Sequence, residues 1–566
     1  MKKLHMTNNY ALINFDATIN HNSAEIISSK GFNDLFTRYI RHLRRNKSYL
    51  LNGLEKVSIP DVLALYKLLL VYDLDDALKQ VPTITQNEVK KIYDLTEDFY
   101  DFWRNFQRYG LIKGSKNYDP SIKIPDVISI NNEFNTVVID LYRTIAQKLR
   151  GSNYHVFRQL PAGVNATMLY TRHQFTKNKV YQKIQNIPFI TKVLLSPPFI
   201  INTKSNTRTG LFTQIDENPL PKLNIIKNQY LAFAIKVGPL LAFVYVHRDF
   251  IHHGISLSNL FEFANYQDFK HQKPDLVYIY GIKEEEYDNK YYIDTKKDIY
   301  VGFVSRADKN DYFGYIKKML LTLHNVYMIN HGFLPIHGAM VRVVLNNKEV
   351  KNVAIIGDSG AGKSETLEAL RIIGKDKITD MKVVFDDMGT FKLIDNKIVA
   401  NGTETGAFVR LDDLDTGYAY QIMDRALFLN PNKVNARVLV PISSYNFIMK
   451  DHPVDYLFYA NNYLETDEGI KIFDNLDDAL NIFRSGKRKA KGTTSEVGLV
   501  KSYFANPFGP VQMQAETEVL LNKYFNNLKD NGTVIGELYT RLAVDGFETE
   551  GPLKAARAML KYIENK

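Results

Sequence analysis

Cysteine is absent from this chain of 566 residues. A chain without cysteine cannot form a disulfide framework, a thiolate nucleophile or a thiolate metal ligand, so any metal must be bound through oxygen or nitrogen. Long apolar runs are also missing, since no segment approaches the roughly 18 apolar residues of a membrane span. The amino-terminal stretch MKKLHMTNNYALINFD has no apolar signal-peptide core. We therefore expect a cytoplasmic protein with no membrane partner.

A dense block of like charge is missing as well. The formal net charge of +10 is spread along the chain, and the densest basic stretches, RHLRR at 41–45 and KRKAK at 487–491, are short. Apolar residues interrupt the first stretch, which is typical of the solvated face of a helix. This pattern suits an anionic small-molecule substrate, and we expect no nucleic-acid partner.

The texture of the sequence changes along the chain. The hydrophobic content of 45% in 566 residues is enough for two or three domains. Residues 31–150 carry four stretches with apolar side chains at three- and four-residue spacing, which predicts a helical region over 1–150. Beyond about 151, β-rich runs such as LLAFVYVH and DLVYIYG predict an α/β or α+β middle domain over 151–331. Another α/β domain is expected over 332–566.

The stretch GDSGAGKS at 357–364 carries the strongest chemical signal. It follows a short β-branched run and precedes apolar residues at helical spacing, as the pattern G-x-x-x-x-G-K-[ST] requires. In such a loop, backbone N–H groups face a polyphosphate, Lys363 reaches the outer phosphates and the Ser364 hydroxyl can bind Mg²⁺. The sequence predicts that ATP is bound by Gly357, Asp358, Ser359, Gly360, Ala361, Gly362, Lys363, Ser364 and Glu365.

Two acids and one histidine stand near this loop in sequence. Asp386 and Asp387 follow an apolar run, where a second strand would place carboxylates at the sheet edge beside bound phosphates. One acid can serve Mg²⁺ and its neighbour another cation. His337 ends an apolar segment, where a histidine is more often structural than a ligand. The order of the surrounding motifs reverses that preference.

These motifs resemble those of the ATP-dependent phosphoenolpyruvate carboxykinases, whose P-loop domain is shared with HPr kinase/phosphorylase. In that family a Lys-Lys pair begins an apolar helix, a histidine follows nineteen residues after the second lysine, and a strand, the P-loop and an Asp-Asp pair come next. Lys318 and His337 have this spacing (337 − 318 = 19), and Tyr312 matches a family tyrosine six positions before the second lysine. The resemblance covers roughly residues 200–510.

Further segments extend the resemblance downstream. NGTETGAFVRL is similar to a family glutamate-glycine-glycine segment, with Glu404 retained and Arg410 in place of a lysine. NARVLVPISSY resembles the segment whose arginine reaches the γ-phosphate, here Arg437, and FRSGKRKAKGTTSEVG resembles a segment near the nucleotide. The resemblance implies an α/β fold: a carboxykinase-like two-domain core, its substrate domain over 151–331 and its P-loop nucleotide-binding domain over 332–566, plus an added N-terminal helical region.

The resemblance also implies roles for individual residues. Lys318, His337 and Asp387 would hold a second divalent ion, commonly Mn²⁺, while Ser364 and Asp386 would hold the Mg²⁺ of ATP. The implied reaction converts oxaloacetate and ATP to phosphoenolpyruvate, ADP and CO₂. The catalytic residues would be Lys318, Lys363, Arg410 and Arg437, and oxaloacetate or a related anion would be bound by Tyr312 and Arg208.

Three departures keep other functions open. Gln214 and Ile215 stand where the family has its substrate arginine, with Arg208 preceding the motif instead, and the family's adenine-side arginine falls near Val497. The P-loop sequence ends in Lys-Ser-Glu-Thr, and this ending and the upstream segment HGAMV resemble HPr kinase more than the carboxykinases. One alternative is therefore a kinase acting on a protein serine or a small hydroxyl compound, with residues 1–150 docking a protein partner. A nucleotide-binding regulator without turnover is a third.

Overall fold

The computed structural model of this chain describes residues 4–7, 9–16, 21–114, 124–151, 160–197, 199–411, 424–490 and 498–565. The chain divides into two compact units, both mixed α/β. The first is formed by Met1–Thr171 with Lys192–Ser196, and the second by Arg172–Thr191 with Pro197–Lys566. Within the described ranges, every helix is too short or too polar to span a membrane.

The first unit combines helices with a small sheet. Its strands are β1 (Leu4–Met6), β2 (Tyr10–Asn14), β3 (Gln107–Lys113) and β4 (Ala166–Arg172). Its helices are α1 (Ser23–Ser28), α2 (Lys30–Arg45), α3 (Ile59–Leu69), α4 (Leu74–Gln80), α5 (Gln86–Asn105) and α6 (Ile124–Arg150). Strand β2 lies between β1, to which it is antiparallel, and β3, to which it is parallel; β3 and β4 are parallel. The region predicted to be helical thus also contains strands.

Helix capping and burial explain where the helices of this unit begin. Ser58 and Thr85 form capping boxes at the starts of α3 and α5, so orphan backbone N–H groups are satisfied there. The apolar faces of α2, α3 and α5 meet in one core, in which Phe36, Tyr39 and Tyr66 are buried. The four stretches with helical spacing correspond to α2, to α3 with α4, to α5 and to α6.

The second unit begins with a sheet that is largely buried on both faces. Its strands are β5 (Pro188–Leu195), β6 (Phe199–Ile201), β7 (Thr213–Gln214), β8 (Tyr230–Val237), β9 (Leu240–His247), β10 (Glu262–Phe263), β11 (Leu276–Ile282), β12 (Lys290–Asp294) and β13 (Ile299–Ser305). The helices of this part are α7 (Ile251–Ser256), α8 (Tyr266–Phe269) and α9 (Phe313–Asn330). The strand order is β5-β8-β9-β11-β13-β12-β7, and β9, β11 and β13 are parallel. Their near-continuous apolar sequences follow from this two-sided burial.

The rest of the second unit contains the P-loop. Its strands are β14 (Leu334–Leu345), β15 (Val350–Ile356), β16 (Ile378–Ile394), β17 (Lys397–Gly402), β18 (Gly406–Arg410), β19 (Leu427–Leu429), β20 (Arg437–Pro441), β21 (His452–Pro453), β22 (Tyr456–Asn461), β23 (Ile470–Ile472), β24 (Lys487–Lys489), β25 (Leu499–Lys501) and β26 (Val534–Tyr539). Its helices are α10 (Lys363–Ile373), α11 (Tyr445–Ile448), α12 (Leu476–Ser485), α13 (Gln514–Asp530) and α14 (Glu550–Glu564). One sheet has the order β21-β17-β16-β14-β15-β22-β26-β23, a second β18-β20-β19-β6, and β24 pairs with β25.

The alternation of side chains along β14 places this sheet between two cores. Ala339 and Val341 face the core that contains α10 and α14, whereas Ile336 and Met340 face the core that contains α13. Strand β14 pairs with β15 on one side and with β16 on the other. The end of β15 therefore lies beside the middle of β14, which pairs on its other side with the middle of β16, and this register positions the site.

Candidate functional site

The P-loop connects the end of β15 to the start of α10. Gly360 and Gly362 have φ angles of 79° and 92°, in the left-handed region that favours glycine. A Cβ on Gly362 would lie 2.6 Å from the Cβ of Thr540, which follows β26. The Thr540 hydroxyl donates to the carbonyl of Ala361 at 2.7 Å. The loop conformation therefore depends on glycine and on support from the neighbouring strand.

The polar side chains at the end of the P-loop have close hydrogen-bond partners. The Lys363 amine donates to the carbonyls of Gly357 at 2.7 Å and Asp358 at 3.1 Å. Ser364 is exposed, and its hydroxyl donates to Asp386 Oδ1 at 3.0 Å. Glu365 follows on α10 and is half-buried. The lysine, the hydroxyl and the carboxylate that a magnesium nucleotide requires are thus brought together.

Asp387 is the centre of a second cluster beside the loop. The amines of Lys317 and Lys318, both on α9, lie 2.7 Å from Asp387 Oδ2. His337, on β14, places Nε2 3.0 Å from Asp387 Oδ1. Asp387 itself has a φ of 153°, a conformation that non-glycine residues rarely adopt and that clusters at functional sites. Side chains from α9 and β14 therefore converge on one carboxylate of β16.

The hydrogen bonds of His337 fix its tautomer. Nδ1 lies 2.7 Å from the carbonyl oxygen of Ala505, which can only accept, so Nδ1 carries the proton. Burial lowers the pKa of His337, which favours the neutral ring. The Nε2 lone pair of the neutral ring then faces Asp387 Oδ1. In that state Nε2 and Asp387 can bind a metal ion together, whereas a protonated Nε2 would donate to Asp387.

The pKa values of the two lysines shift in opposite directions. Burial alone would lower the pKa of Lys317, but Asp387 and Glu404, the latter 3.1 Å away, outweigh burial and raise it. For Lys318 burial dominates and the pKa is lowered. Burial also raises the pKa of Glu404, to about 7. The raised pKa keeps Lys317 protonated. Lys318 loses its proton more readily than Lys317 and is therefore the better candidate for a metal ligand.

The paired acids do not lie where the sequence placed them. We expected Asp386 and Asp387 at the carboxyl end of a strand, but β16 continues to Ile394 because its pairing with β14 continues. The acids reach the P-loop from mid-strand, since β14 is the only strand between β16 and β15 in the described sheet order. Burial raises the pKa of Asp386, whereas Lys317 and Lys318 outweigh burial and hold that of Asp387 well below its usual value.

A pair of arginines lies near Lys317. Arg410 and Arg437 stand directly opposite each other on β18 and β20. The ring of Phe408 has the Arg437 guanidinium 5.4 Å and the Lys317 amine 5.8 Å from its centroid. Like charges in opposite positions destabilise a sheet. Guanidinium groups are suited to bind an anion such as a phosphate.

The residues expected to bind substrate lie next to these cations. Tyr312 is buried at the start of α9, with its ring 5.9 Å from that of Phe408. The Arg208 guanidinium lies 5.2 Å from the ring centroid of Phe508, and the Lys318 amine lies 4.5 Å from the same ring. Gln214 is exposed on β7. The structure thus brings Arg208, and not the motif that follows it, towards Lys318.

Sequence reasoning gave no role to several residues of this site. Lys317 was noted only as the partner of Lys318, and its ion pair with Glu404 was not foreseen, although the resemblance marked Glu404. No sequence signal pointed to Phe508 or to the carbonyl of Ala505. The expected adenine-side position, Val497, lies outside the described residues.

A further buried cluster joins α7 to the turn before α9. His252 and His253 place Nε2 2.9 and 3.0 Å from Asp311 Oδ1, and these donor atoms could hold a metal ion. However, His253 Nδ1 is buried and has no hydrogen-bond partner among the described residues. A metal-bound histidine almost always donates its second N–H. The cluster is therefore better explained as a structural hydrogen-bond network. In this network Asp311 Oδ2 also accepts from the backbone N–H of Lys204.

No protein-family model matches this chain, and no curated protein matches it significantly.

Proposed function

We propose that the protein is an ATP-dependent phosphoryl transferase of the carboxykinase type, which converts oxaloacetate and ATP to phosphoenolpyruvate, ADP and CO₂. One observation carries the proposal: the Lys318 amine and His337 Nε2 lie within hydrogen-bond distance of Asp387, next to the Asp386–Ser364 pair of the P-loop. A P-loop that only holds a nucleotide does not need this second cluster. The arrangement supports the carboxykinase-like two-domain core implied by the resemblance.

Two divalent ions fit the donors of the site. Lys318, His337 and Asp387 would hold Mn²⁺ through nitrogen and oxygen, and Ser364 with Asp386 would hold the Mg²⁺ of ATP. Bound there, such ions supply Lewis-acid stabilisation of negative charge on substrate oxygens. The unprotonated Nε2 of His337 and the lowered pKa of Lys318 are the properties that ligands in this site need.

The charged side chains account for the phosphoryl transfer. In the proposed reaction the C–C bond to the departing carboxylate breaks, CO₂ leaves, and the resulting enolate oxygen attacks the γ-phosphorus. The bond from that phosphorus to ADP breaks in turn. Lys363, Arg410 and Arg437 neutralise the transferring group, which is most of what such a catalyst supplies. Lys317 stays protonated beside the reacting anion.

Acceptor binding rests on Arg208 and Tyr312. A dicarboxylate carries two charges, and the guanidinium of Arg208 beside Phe508 offers one anchor near Lys318. The Tyr312 hydroxyl interacts with Arg437 and so lies next to the pair formed by Arg410 and Arg437. Both residues can therefore orient the oxaloacetate carboxylates towards Lys318.

A kinase of the HPr-kinase type is the second candidate. One observation favours it: Gln214 and its strand are exposed, so the segment that holds the substrate arginine in carboxykinases supplies no cation to the site here. In that case the acceptor would be a protein serine or a small hydroxyl compound, and the first unit would offer a docking surface for a protein partner.

Nucleotide conversion by the purified protein separates these functions. The protein is given ATP, Mg²⁺ and Mn²⁺ with oxaloacetate, or ADP with phosphoenolpyruvate and bicarbonate, and phosphoenolpyruvate, oxaloacetate and nucleotides are quantified. The carboxykinase predicts interconversion in both directions. Transfer of label from γ-labelled ATP to serine-containing proteins or hydroxyl compounds, without oxaloacetate turnover, would instead indicate the kinase. ATP binding with no turnover under any of these conditions would indicate a regulator.

A further inference from the structure

The P-loop contains a carboxylate of its own. Asp358, the second residue of the loop, is buried, and its Oδ1 accepts the backbone N–H of Ser359 at 2.7 Å. A carboxylate inside a loop that faces a polyphosphate repels the ligand. It could also bind the amine of Lys363, which is needed for the outer phosphates. The loop can bind ATP well only if this charge is neutralised by another group.

Arg488 supplies that neutralisation from β24. Its Nε donates to Asp358 Oδ2 at 3.0 Å, and both residues are more than nine-tenths buried. With the carboxylate engaged by Arg488, Lys363 donates to the backbone carbonyls of Gly357 and Asp358 instead. Those carbonyl bonds are weaker than an ion pair, so the lysine can exchange them for phosphate oxygens.

A second contact ties the same strand to the loop. Asn462 is fully buried, and its amide donates to the carbonyls of Gly360 at 2.8 Å and Lys489 at 2.9 Å. Its Oδ1 accepts the backbone N–H of Lys489 at 2.9 Å. Strand β24 therefore holds the P-loop through a side-chain ion pair and through a bridging amide. The contact of Arg488 with the loop is therefore one of two links that hold β24 and the P-loop together.

We propose that Arg488 is a positioning residue for the nucleotide: it sequesters the carboxylate of Asp358 and so keeps Lys363 available for the phosphates of ATP. This inference rests on the proposed nucleotide binding by the P-loop and extends it to a residue outside the loop. Arg488 does not touch the reacting atoms; it acts through the charge of Asp358. A role in packing alone would not depend on that charge.

A double-mutant cycle tests the proposal, with a fluorescent ATP analogue displaced by Mg-ATP as the probe. Arg488→Met should weaken Mg-ATP binding at least about tenfold relative to wild type, and Asp358→Asn gives the reference affinity for the double variant. The double variant should return to within about threefold of Asp358→Asn, because the charge that needed neutralisation is gone. Arg488→Lys, which keeps the charge, should lose less affinity than Arg488→Met. Lys501→Met removes an exposed cation from the paired strand β25 as the control.

Melting temperatures confirm that each variant is folded. The proposal is overturned if Arg488→Met binds Mg-ATP as tightly as wild type, or if the double variant binds as weakly as Arg488→Met. Mg-ATP binding by the wild-type protein distinguishes a failure of the proposed function from a failure of the role proposed for Arg488. A wild-type protein that binds no nucleotide refutes the proposed function and this inference with it. Wild-type binding without charge rescue refutes only the role of Arg488.

Discussion

Arg410 and Arg437 stand opposite each other on neighbouring antiparallel strands, and Arg437 shares the ring of Phe408 with the Lys317 amine. Like charges in opposite positions weaken a sheet. A phosphoryl group in transfer carries the complementary charge. In the proposed function the pair neutralises that group, so its effect on turnover is measurable separately from its effect on the fold.

Arg437→Gln should lower kcat about 10³-fold, because the guanidinium neutralises the transferring phosphoryl group rather than the bound nucleotide. The Kd for Mg-ATP should change little. Steady-state kinetics and nucleotide titration measure both quantities. As a control, Arg557→Gln removes an exposed arginine that pairs with Glu550 and should leave both unchanged. An equal loss in kcat and in nucleotide affinity would place Arg437 on the nucleotide itself.

Lys363→Ala should abolish measurable phosphoryl transfer, with a loss of at least about 10³-fold in kcat, while the protein remains folded. The amine is the group of the P-loop that reaches the outer phosphates. Turnover and circular dichroism are compared with those of Lys397→Ala, an exposed lysine in the same sheet. A folded Lys363→Ala protein with wild-type turnover would refute a catalytic P-loop.

His337→Asn should weaken Mn²⁺ binding at least about tenfold. The asparagine amide can still donate to the carbonyl of Ala505, so the fold keeps that hydrogen bond while the unprotonated ring nitrogen is lost. Electron paramagnetic resonance of unbound Mn²⁺ gives the affinity. His331→Gln, which changes an exposed histidine, should bind Mn²⁺ like wild type. Unchanged Mn²⁺ affinity in His337→Asn would exclude His337 as a ligand.

Lys317→Met should destabilise the protein by about 3–5 kcal/mol, because Glu404 loses the cation 3.1 Å from its carboxylate in a buried site. Asp387 keeps Lys318 as a partner. Adding Glu404→Gln should recover part of the loss, since a neutral amide is less costly to bury than an unpaired carboxylate. Urea unfolding of the two variants measures the difference. A loss below about 1 kcal/mol in Lys317→Met would show that the pair contributes no more than a surface salt bridge.

The free energy of unfolding should fall as the pH falls from about 6.5 to about 4. Burial lowers the pKa of both His253 and His324 from 6.5 to about 4 in the folded protein. Across this window the unfolded state therefore binds more protons, and each histidine costs up to about 3 kcal/mol at the acid end. His324→Gln should flatten the pH dependence in urea titrations, and His331→Gln should not. Parallel slopes for wild type and His324→Gln would contradict this assignment.

The local features of the site could be predicted from the sequence. A strand, a glycine-bearing loop with Lys363 and Ser364, and a helix form the P-loop, and the pattern of neighbouring residues predicts each of these elements. The spacing of Lys318 and His337 also marks two residues that the structure places beside one carboxylate, because the helix that carries Lys318 leads directly into the strand that carries His337. The mixed α/β class follows from the same local patterns.

The tertiary structure decided which partners these residues have. Asp387 became the centre of the cluster only because β14 lies between β15 and β16, an order that no local pattern specifies. Lys317 and Lys318 are adjacent and identical in sequence, yet one pKa is raised and the other lowered, since burial dominates for Lys318 whereas Asp387 and Glu404 outweigh it for Lys317. Arg208 and Lys318 both contact the ring of Phe508, which lies 300 residues after Arg208 in the chain (508 − 208 = 300). Burial and charge at such distances are set by packing, which a single sequence does not reveal.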